Sequence, residues 1–348
     1  MNIAGREKGL RMGEVYHGGD LAAARSRFAH APRPWIDLST GINPHAYPVG
    51  ELPKTAWTRL PEPSAIRALE AVAASAYGAR EPESVVAAPG TQALIRWLPR
   101  LIGARRVGIL GFTYAEHEAS WRAAGASVAT VDGIEALSGH DVAVVVNPNN
   151  PDGRRIAPQA LVDLHARLAR KGGALIVDEA FMDAEPIEHS VVPQLPATGA
   201  VVLRSFGKFH GLAGLRLGFA IASAELADRI RRSLGPWVVS GVAIEIGSRA
   251  LADTVWRAGT MARLAKGAER LDAILDRAGF EIIGGTPLFR LARHSRAPAW
   301  FAHLGRQGIW VRNFPSTHED RLRFGLPGST AAWRRLEAAF GKRVANSE

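Results

Sequence analysis

From residue 83 onward, short unbroken apolar runs alternate with segments whose apolar residues recur every three or four positions. ESVVAAPG (83–90), RRVGILGFTY (105–114), HDVAVVVNPNNP (140–151) and GALIVDEAFMD (173–183) carry the runs, and AVVLRSFGKF (200–209) and RLGFAIAS (216–223) follow. Between them, TQALIRWLPRLI (91–102), AEHEASWRAAG (115–125) and APQALVDLHARLARKG (157–172) have helical spacing. Nearly continuous Val, Ile, Leu and Ala strands separated by amphipathic helices predict an α/β fold: a mostly parallel sheet sandwiched by helices. Ligands of such sheets sit beyond the carboxyl ends of the strands. The turns PGTQ, GFTY, NPNNPDG, DEAF and SFGK are therefore expected along one edge.

After about residue 220 the pattern changes. Long helical stretches at 223–237 and 242–279 precede short strand-like runs, FEIIGG, LFRLAR, GIWVRNF and RLRFGLP. The expected division is an N-terminal arm (1–35), a large domain (36–220), and a smaller α/β C-terminal domain with linking helices (221–348).

Composition narrows the class. The 348 residues are 47% hydrophobic, with no cysteine, so disulfides, thiolate catalysis and cysteine-bound metal are excluded. The first residues hold no apolar segment like that of a secretory signal, and no run of about 18 apolar residues occurs, so a cytoplasmic protein without a membrane span is expected. The formal charge of +10 comes from 43 Lys and Arg against 33 Asp and Glu. That excess is spread over amphipathic helical faces, without zinc-finger spacing or a basic arm, and nucleic acid is not an expected partner. Local positive charge suits an anionic small substrate instead.

Several common motifs are missing. GLAGLRLG has the wrong spacing for a dinucleotide fingerprint, and Lys208 precedes Phe209, so no phosphate loop ending in G-K-[ST] forms. Neither H-E-x-x-H nor G-x-S-x-G is present, and no metal is expected. An asparagine turn, a strand-end aspartate, a turn lysine and an arginine remain, in that order. Singly, each has a plainer reading as turn chemistry, a cap or a surface cation.

Together, NPNNPDG, VDEAF, SFGKFHGLAGLRLGF and LRFG resemble the fold-type I pyridoxal-phosphate enzymes, in the branch similar to histidinol-phosphate aminotransferases. The resemblance runs from DLSTGINP (37–44) to RLRFGLPG (321–328), and HGG, DLSTGINP, DEAFMD and LRFGLPG look most like threonine-phosphate decarboxylases of cobalamin synthesis. It implies pyridoxal 5′-phosphate as cofactor, a small phosphorylated amino acid as substrate, and a homodimer. Lys208 matches the lysine that attaches the cofactor. Asp178 matches the carboxylate that keeps the ring nitrogen protonated, Asn150 the partner of the ring O3′, and Tyr114 the stacking aromatic. Gly90, Thr91 and Gln92 open a helix suited to the phosphate, with Ser205 and Arg216 adding a hydroxyl and a bidentate cation.

Arg323 matches the arginine for the substrate carboxylate. Arg312 is a candidate for the substrate phosphate, and Asn43 and His17 are candidates from the N-terminal side, across a dimer interface. Two positions depart from the pattern: Phe181 stands where many relatives have a tyrosine, and Gly207 where serine or threonine is common. The resemblance implies decarboxylation of L-threonine O-3-phosphate. The alternatives are a histidinol-phosphate-type aminotransferase and a non-enzymatic regulator that keeps the fold.

Overall fold

The computed structural model describes residues 18–314 and 318–341. Seven strands form its main sheet: Val85–Ala88 (β1), Arg106–Leu110 (β2), Ser127–Val131 (β3), Val142–Val146 (β4), Ala174–Asp178 (β5), Ala200–Ser205 (β6) and Gly218–Ala222 (β7). Their order across the sheet is β1-β7-β6-β5-β4-β2-β3. Strand β7 runs antiparallel to both its neighbours, and the other pairings are parallel. The sheet is thus mostly parallel, as the apolar runs predict. Strands β1, β4 and β7 are buried at every position, which is what unbroken runs mean in a sheet covered on both faces. Strand β3 had no such signature. It is an edge strand with three of its five residues exposed and only Val128 buried, so its sequence shows no apolar run.

Helices cover both faces. Pro63–Tyr77 (α1), Thr91–Ile102 (α2), Glu116–Ala123 (α3), Pro158–Ala169 (α4), Ala224–Leu234 (α5), Gly241–Ala252 (α6) and Thr254–Arg277 (α7) follow in chain order. Leu69, Tyr77, Leu161 and Leu164 pack with Phe219 and Ile244 on one face, and Leu94, Leu98, Trp121 and Ile230 on the other. Each such side chain contributes about 1.5–3 kcal/mol by leaving water. The helical stretch at 242–279 is two helices. Asp253 ends α6 and caps α7, its Oδ1 accepting from the Trp256 N–H at 2.8 Å.

The smaller sheet is antiparallel: Glu281–Thr286 (β8), Phe289–Arg293 (β9), Arg312–Asn313 (β10) and Arg321–Gly325 (β11), in the order β10-β11-β9-β8. Its core includes Leu271 and Leu275 of α7 together with Trp300, Phe324 and Leu336. Ala24 and Leu38 belong to the same core. Ile36–Asp37 pairs parallel with Ile309–Trp310, and the Gly325 N–H donates to Leu38 O at 2.7 Å. The start of the segment expected in the large domain therefore runs along the smaller lobe, joined by main-chain pairing that no local pattern encodes. No described helix is long and apolar enough to cross a membrane, and no described group of His, Asp and Glu could hold a metal ion.

Candidate active site

The carboxyl ends of β2, β4, β5 and β6 face a cavity of about 140 Å³. Lys208 reaches it from a one-turn helix, Phe206–Phe209, that begins where β6 ends. Burial pulls the Lys208 amine down to about 8, helped by the positive charge of Arg323 and Arg216 and opposed by Asp178. The turn has no room for a side chain at Gly207. A Cβ there would lie 2.7 Å from the Ala213 Cα, so the serine or threonine that the resemblance would lead one to expect would press on backbone. Asn43 is placed behind this turn. Its backbone N–H donates to Lys208 O at 2.9 Å, its Nδ2 to Phe209 O at 2.8 Å, and its Oδ1 accepts from the His45 N–H at 2.9 Å. The Asn43 side chain is thus bonded to backbone at Phe209, next to the lysine, and at His45.

Asp178 is the last residue of β5, in register with Val146 and Leu203, which aims it along the same edge. It is 3% exposed. Its Oδ1 accepts from the Ala180 N–H at 3.0 Å, and its Oδ2 lies 2.8 Å from His117 Nε2. Sequence reasoning missed His117. The available signal was its position one helical turn beyond Tyr114, on the face of α3 that returns to the strand ends.

Tyr114 lines the cavity and donates its hydroxyl to Gln92 Oε1 at 3.2 Å. Burial first, then Glu116 and Asp178, push its phenol up to about 12, so it remains a protonated donor. Asn149, also missed, pins the turn ahead of it by accepting from Thr113 Oγ1 at 2.5 Å and donating to Phe112 O at 3.0 Å.

An anion cradle forms the other wall. Gly90 (φ 85°) is the N-cap of α2, and no side chain caps that end, so the first-turn N–H groups face outward with Thr91 and Gln92 beside the cavity. A Cβ on Gly90 would lie 2.7 Å from Arg216 Nη2; only glycine lets this guanidinium approach the helix end. Arg216 adopts a left-handed backbone (φ 56°), and Ser205 completes the wall. Beneath them Arg204 is fully buried, bonded to Glu179 at 2.8 Å and to Asp183, with its guanidinium 4.3 Å from the Tyr77 ring centroid. This buried cluster locks the ends of β5 and β6 together, and truncating one partner would leave an uncompensated charge.

The small lobe supplies the remaining candidates. Arg323 is 7% exposed and donates to Asn150 Oδ1 and, at 2.8 Å, to Ser39 O. Burial, and then the like charge of Arg312, lower its guanidinium to about 9, with Asp37 opposing. Arg312 is its cross-strand partner on β10, half-buried, with its guanidinium 5.6 Å from the Phe314 ring centroid. Asn150 and Phe181 line the cavity, and the Phe181 ring centroid is 5.7 Å from Lys208 Nζ. His17 lies outside the described residues.

A half-buried amine of lowered basicity, a strand-end carboxylate with a fixed orientation, a phenol ring and a helix end without a side-chain cap beside Arg216 line one cavity. This donor set fits pyridoxal 5′-phosphate, matching an aldehyde, a ring nitrogen, a ring face and a phosphate in turn. Fold and site define the class: the chain belongs to the aminotransferase class I and II family, whose model matches residues 34–337.

Within that class, the chain is 44% identical over 327 residues to a threonine-phosphate decarboxylase of Pseudomonas aeruginosa, covering 93% of this chain and 96% of that one. It is 42% identical over 334 residues to a threonine-phosphate decarboxylase of a Sinorhizobium species, covering 94% and 98%. A solved histidinol-phosphate aminotransferase of Sinorhizobium meliloti, in complex with pyridoxal-5′-phosphate, superposes with a TM-score of 0.82. That pair covers 97% and 96% of the two chains at 19% identity, a likeness of fold.

Proposed function

We propose that this chain is a pyridoxal-phosphate-dependent decarboxylase converting L-threonine O-3-phosphate to 1-aminopropan-2-ol phosphate, for the nucleotide-loop side of cobalamin. The observation that carries the reading is the pairing of Arg323 with Arg312 across β11 and β10 beside Asn150. Two cations suit a substrate with both a carboxylate and a phosphate, where a simple amino acid needs one. The near full-length similarity to two threonine-phosphate decarboxylases supports it.

When bound, pyridoxal phosphate supplies an electron sink for the pair left at the substrate Cα. The chain's own residues do the rest. Lys208 Nζ, with its amine lowered to about 8, is neutral often enough at neutral pH to attach the cofactor aldehyde. Asp178, held by His117 and the Ala180 N–H, keeps a proton on the pyridine nitrogen. Gly90, Thr91, Gln92, Ser205 and Arg216 hold the cofactor phosphate, and Tyr114 offers its ring face. Arg323 takes the substrate carboxylate and Arg312 its phosphate. Anchoring the remote phosphate presents the Cα–carboxylate bond, in place of Cα–H, for cleavage. Lys208 Nζ, free once the substrate amine has taken its place on the aldehyde, would be positioned to return a proton to Cα after CO₂ has left.

The test is direct. Purified enzyme with pyridoxal phosphate is expected to release CO₂ from L-threonine O-3-phosphate with no keto acid present. Unphosphorylated threonine should react far more slowly, because the remote phosphate contributes orienting energy. Silence until a keto acid is added, followed by formation of a new amino acid, would identify an aminotransferase and overturn the reading.

We also infer a homodimer in the cytoplasm. Trp57 (69% exposed) lies in a short helix, Thr55–Thr58, packed against α6, Leu60 (65%) lies just beyond it, and Trp237 (54%) lies just ahead of α6. Exposed apolar groups of this size suit a second copy of the chain. Sedimentation at a single-chain mass would refute that. The arm and the two lobes are taken to divide near residues 35 and 220, with 36–40 crossing to the smaller sheet, and limited proteolysis would test these limits.

A further inference from the structure

Four side chains lead away from the cavity in a line. Tyr114 donates to Gln92 Oε1 at 3.2 Å, and Gln92 Nε2 donates to Glu116 Oε2 at 2.5 Å. The same carboxylate oxygen accepts from Arg96 Nη2 at 2.9 Å. Gln92 and Arg96 are one turn apart on α2, and Glu116 opens α3 opposite them. The Glu116 side chain is only 7% exposed, while that of Arg96 is 51% exposed.

A carboxylate can only accept, so it compels Gln92 to present Nε2 to it. The other end of the amide is then an oxygen, and that oxygen faces Tyr114. The Tyr114 hydroxyl is thereby left with the donor role, in one direction. None of the roles assigned above uses Glu116. Its charge, set beside a helix end that receives an anion, would by itself oppose phosphate binding, and Arg96 offsets it. The plainer account is an acidic residue in the first turn of α3 acting on the helix dipole. That account explains neither the burial nor the bond to Gln92.

We propose that Glu116 is a positioning residue for the cofactor site, acting through Gln92 to hold the Tyr114 hydroxyl as a donor and so set the tilt of the ring that faces the cofactor. The inference rests on the reading of the cavity as a pyridoxal-phosphate site, and it concerns binding and orientation, not the choice of reaction.

The test is a double-mutant cycle on the reconstituted holoenzyme, read by the cofactor dissociation constant and by circular dichroism of the cofactor's visible band. Glu116→Ala is expected to weaken cofactor binding by about three- to tenfold, the loss of one buried hydrogen bond, and to diminish the visible dichroism. Glu116→Gln, which keeps an acceptor for Gln92, should retain most of both. In a Tyr114→Phe background the effect of Glu116→Ala should vanish, because the relay then ends on nothing. An equal effect in both backgrounds, or none in either, overturns the proposal. If Glu116→Ala does not fold, Glu116→Leu, which fills the buried position without an acceptor, decides in the same two backgrounds by the same criterion. Failure of wild-type protein to bind pyridoxal phosphate would refute the cofactor reading itself, a distinct result.

Discussion

Replacing Lys208 by methionine should stabilise the protein prepared without cofactor. The side chain is half-buried at the cavity, and its amine is lowered from 10.5 to about 8, with desolvation the main cause and Arg323 next. At about pH 7 the amine is charged in both the folded and the unfolded chain, so the folded state bears the whole penalty. A gap of about 2.5 units between 10.5 and 8, at about 1.4 kcal/mol per unit, is roughly 3 kcal/mol. The sign follows from proton binding. Between about pH 8 and 10.5 the unfolded chain holds a proton that the folded one has released, so wild-type stability rises with pH through that window and gains nothing more beyond it. Methionine fills similar volume and does not titrate. Urea unfolding of both proteins should therefore show the variant more stable by roughly 3 kcal/mol at about pH 7, with the difference at least halved at about pH 9.5. A variant no more stable than wild type at neutral pH, or a difference that stays constant with pH, would refute a charge held at a cost in the cavity and point to packing alone.

Borohydride reduction of the holoenzyme and peptide mapping should place the cofactor on Lys208, and label on Lys171 or Lys266 would sink the assignment. Arg216→Ala should weaken cofactor binding by roughly 2–4 kcal/mol, whereas Arg323→Ala should leave the cofactor bound and raise KM for the phosphorylated substrate; equal loss of cofactor in both would refute the division of roles. Gly207→Ser, although it restores a residue common in relatives, should lower stability by about 1–3 kcal/mol in thermal unfolding, because its Cβ would press on the Ala213 backbone; unchanged Tm and cofactor affinity would show that the turn yields.

Much of the site was legible before any fold was known. The unbroken runs ending in Val146, Asp178 and Ser205 identified buried parallel strands, and parallel strands put their following turns on one edge. The turns carrying Asn150, Asp178 and Lys208 were therefore expected on one edge, Arg216 was matched through the family resemblance, and all four line one cavity. Local pattern also has limits, visible at particular residues. Strand β3 escaped notice because an edge strand has a wet side, and the α6–α7 break because one aspartate cap decides it.

Other features exist only in three dimensions. Asn150 and Arg323 are 173 residues apart in the chain yet share a hydrogen bond, and His117 reaches Asp178 from 61 residues away. The exclusion of a side chain at Gly207 depends on where Ala213 folds back, and the lowered basicity of Lys208 on how far folding withdraws it from water and sets it near Arg323. What the sequence by itself determined is the order of the elements and the kind of chemistry carried at each strand end, because side-chain periodicity and turn chemistry act over a few residues. What only the tertiary structure decided is which of those groups touch, how they are oriented and how they ionise, because contact, burial and electrostatics depend on distance through space rather than along the chain.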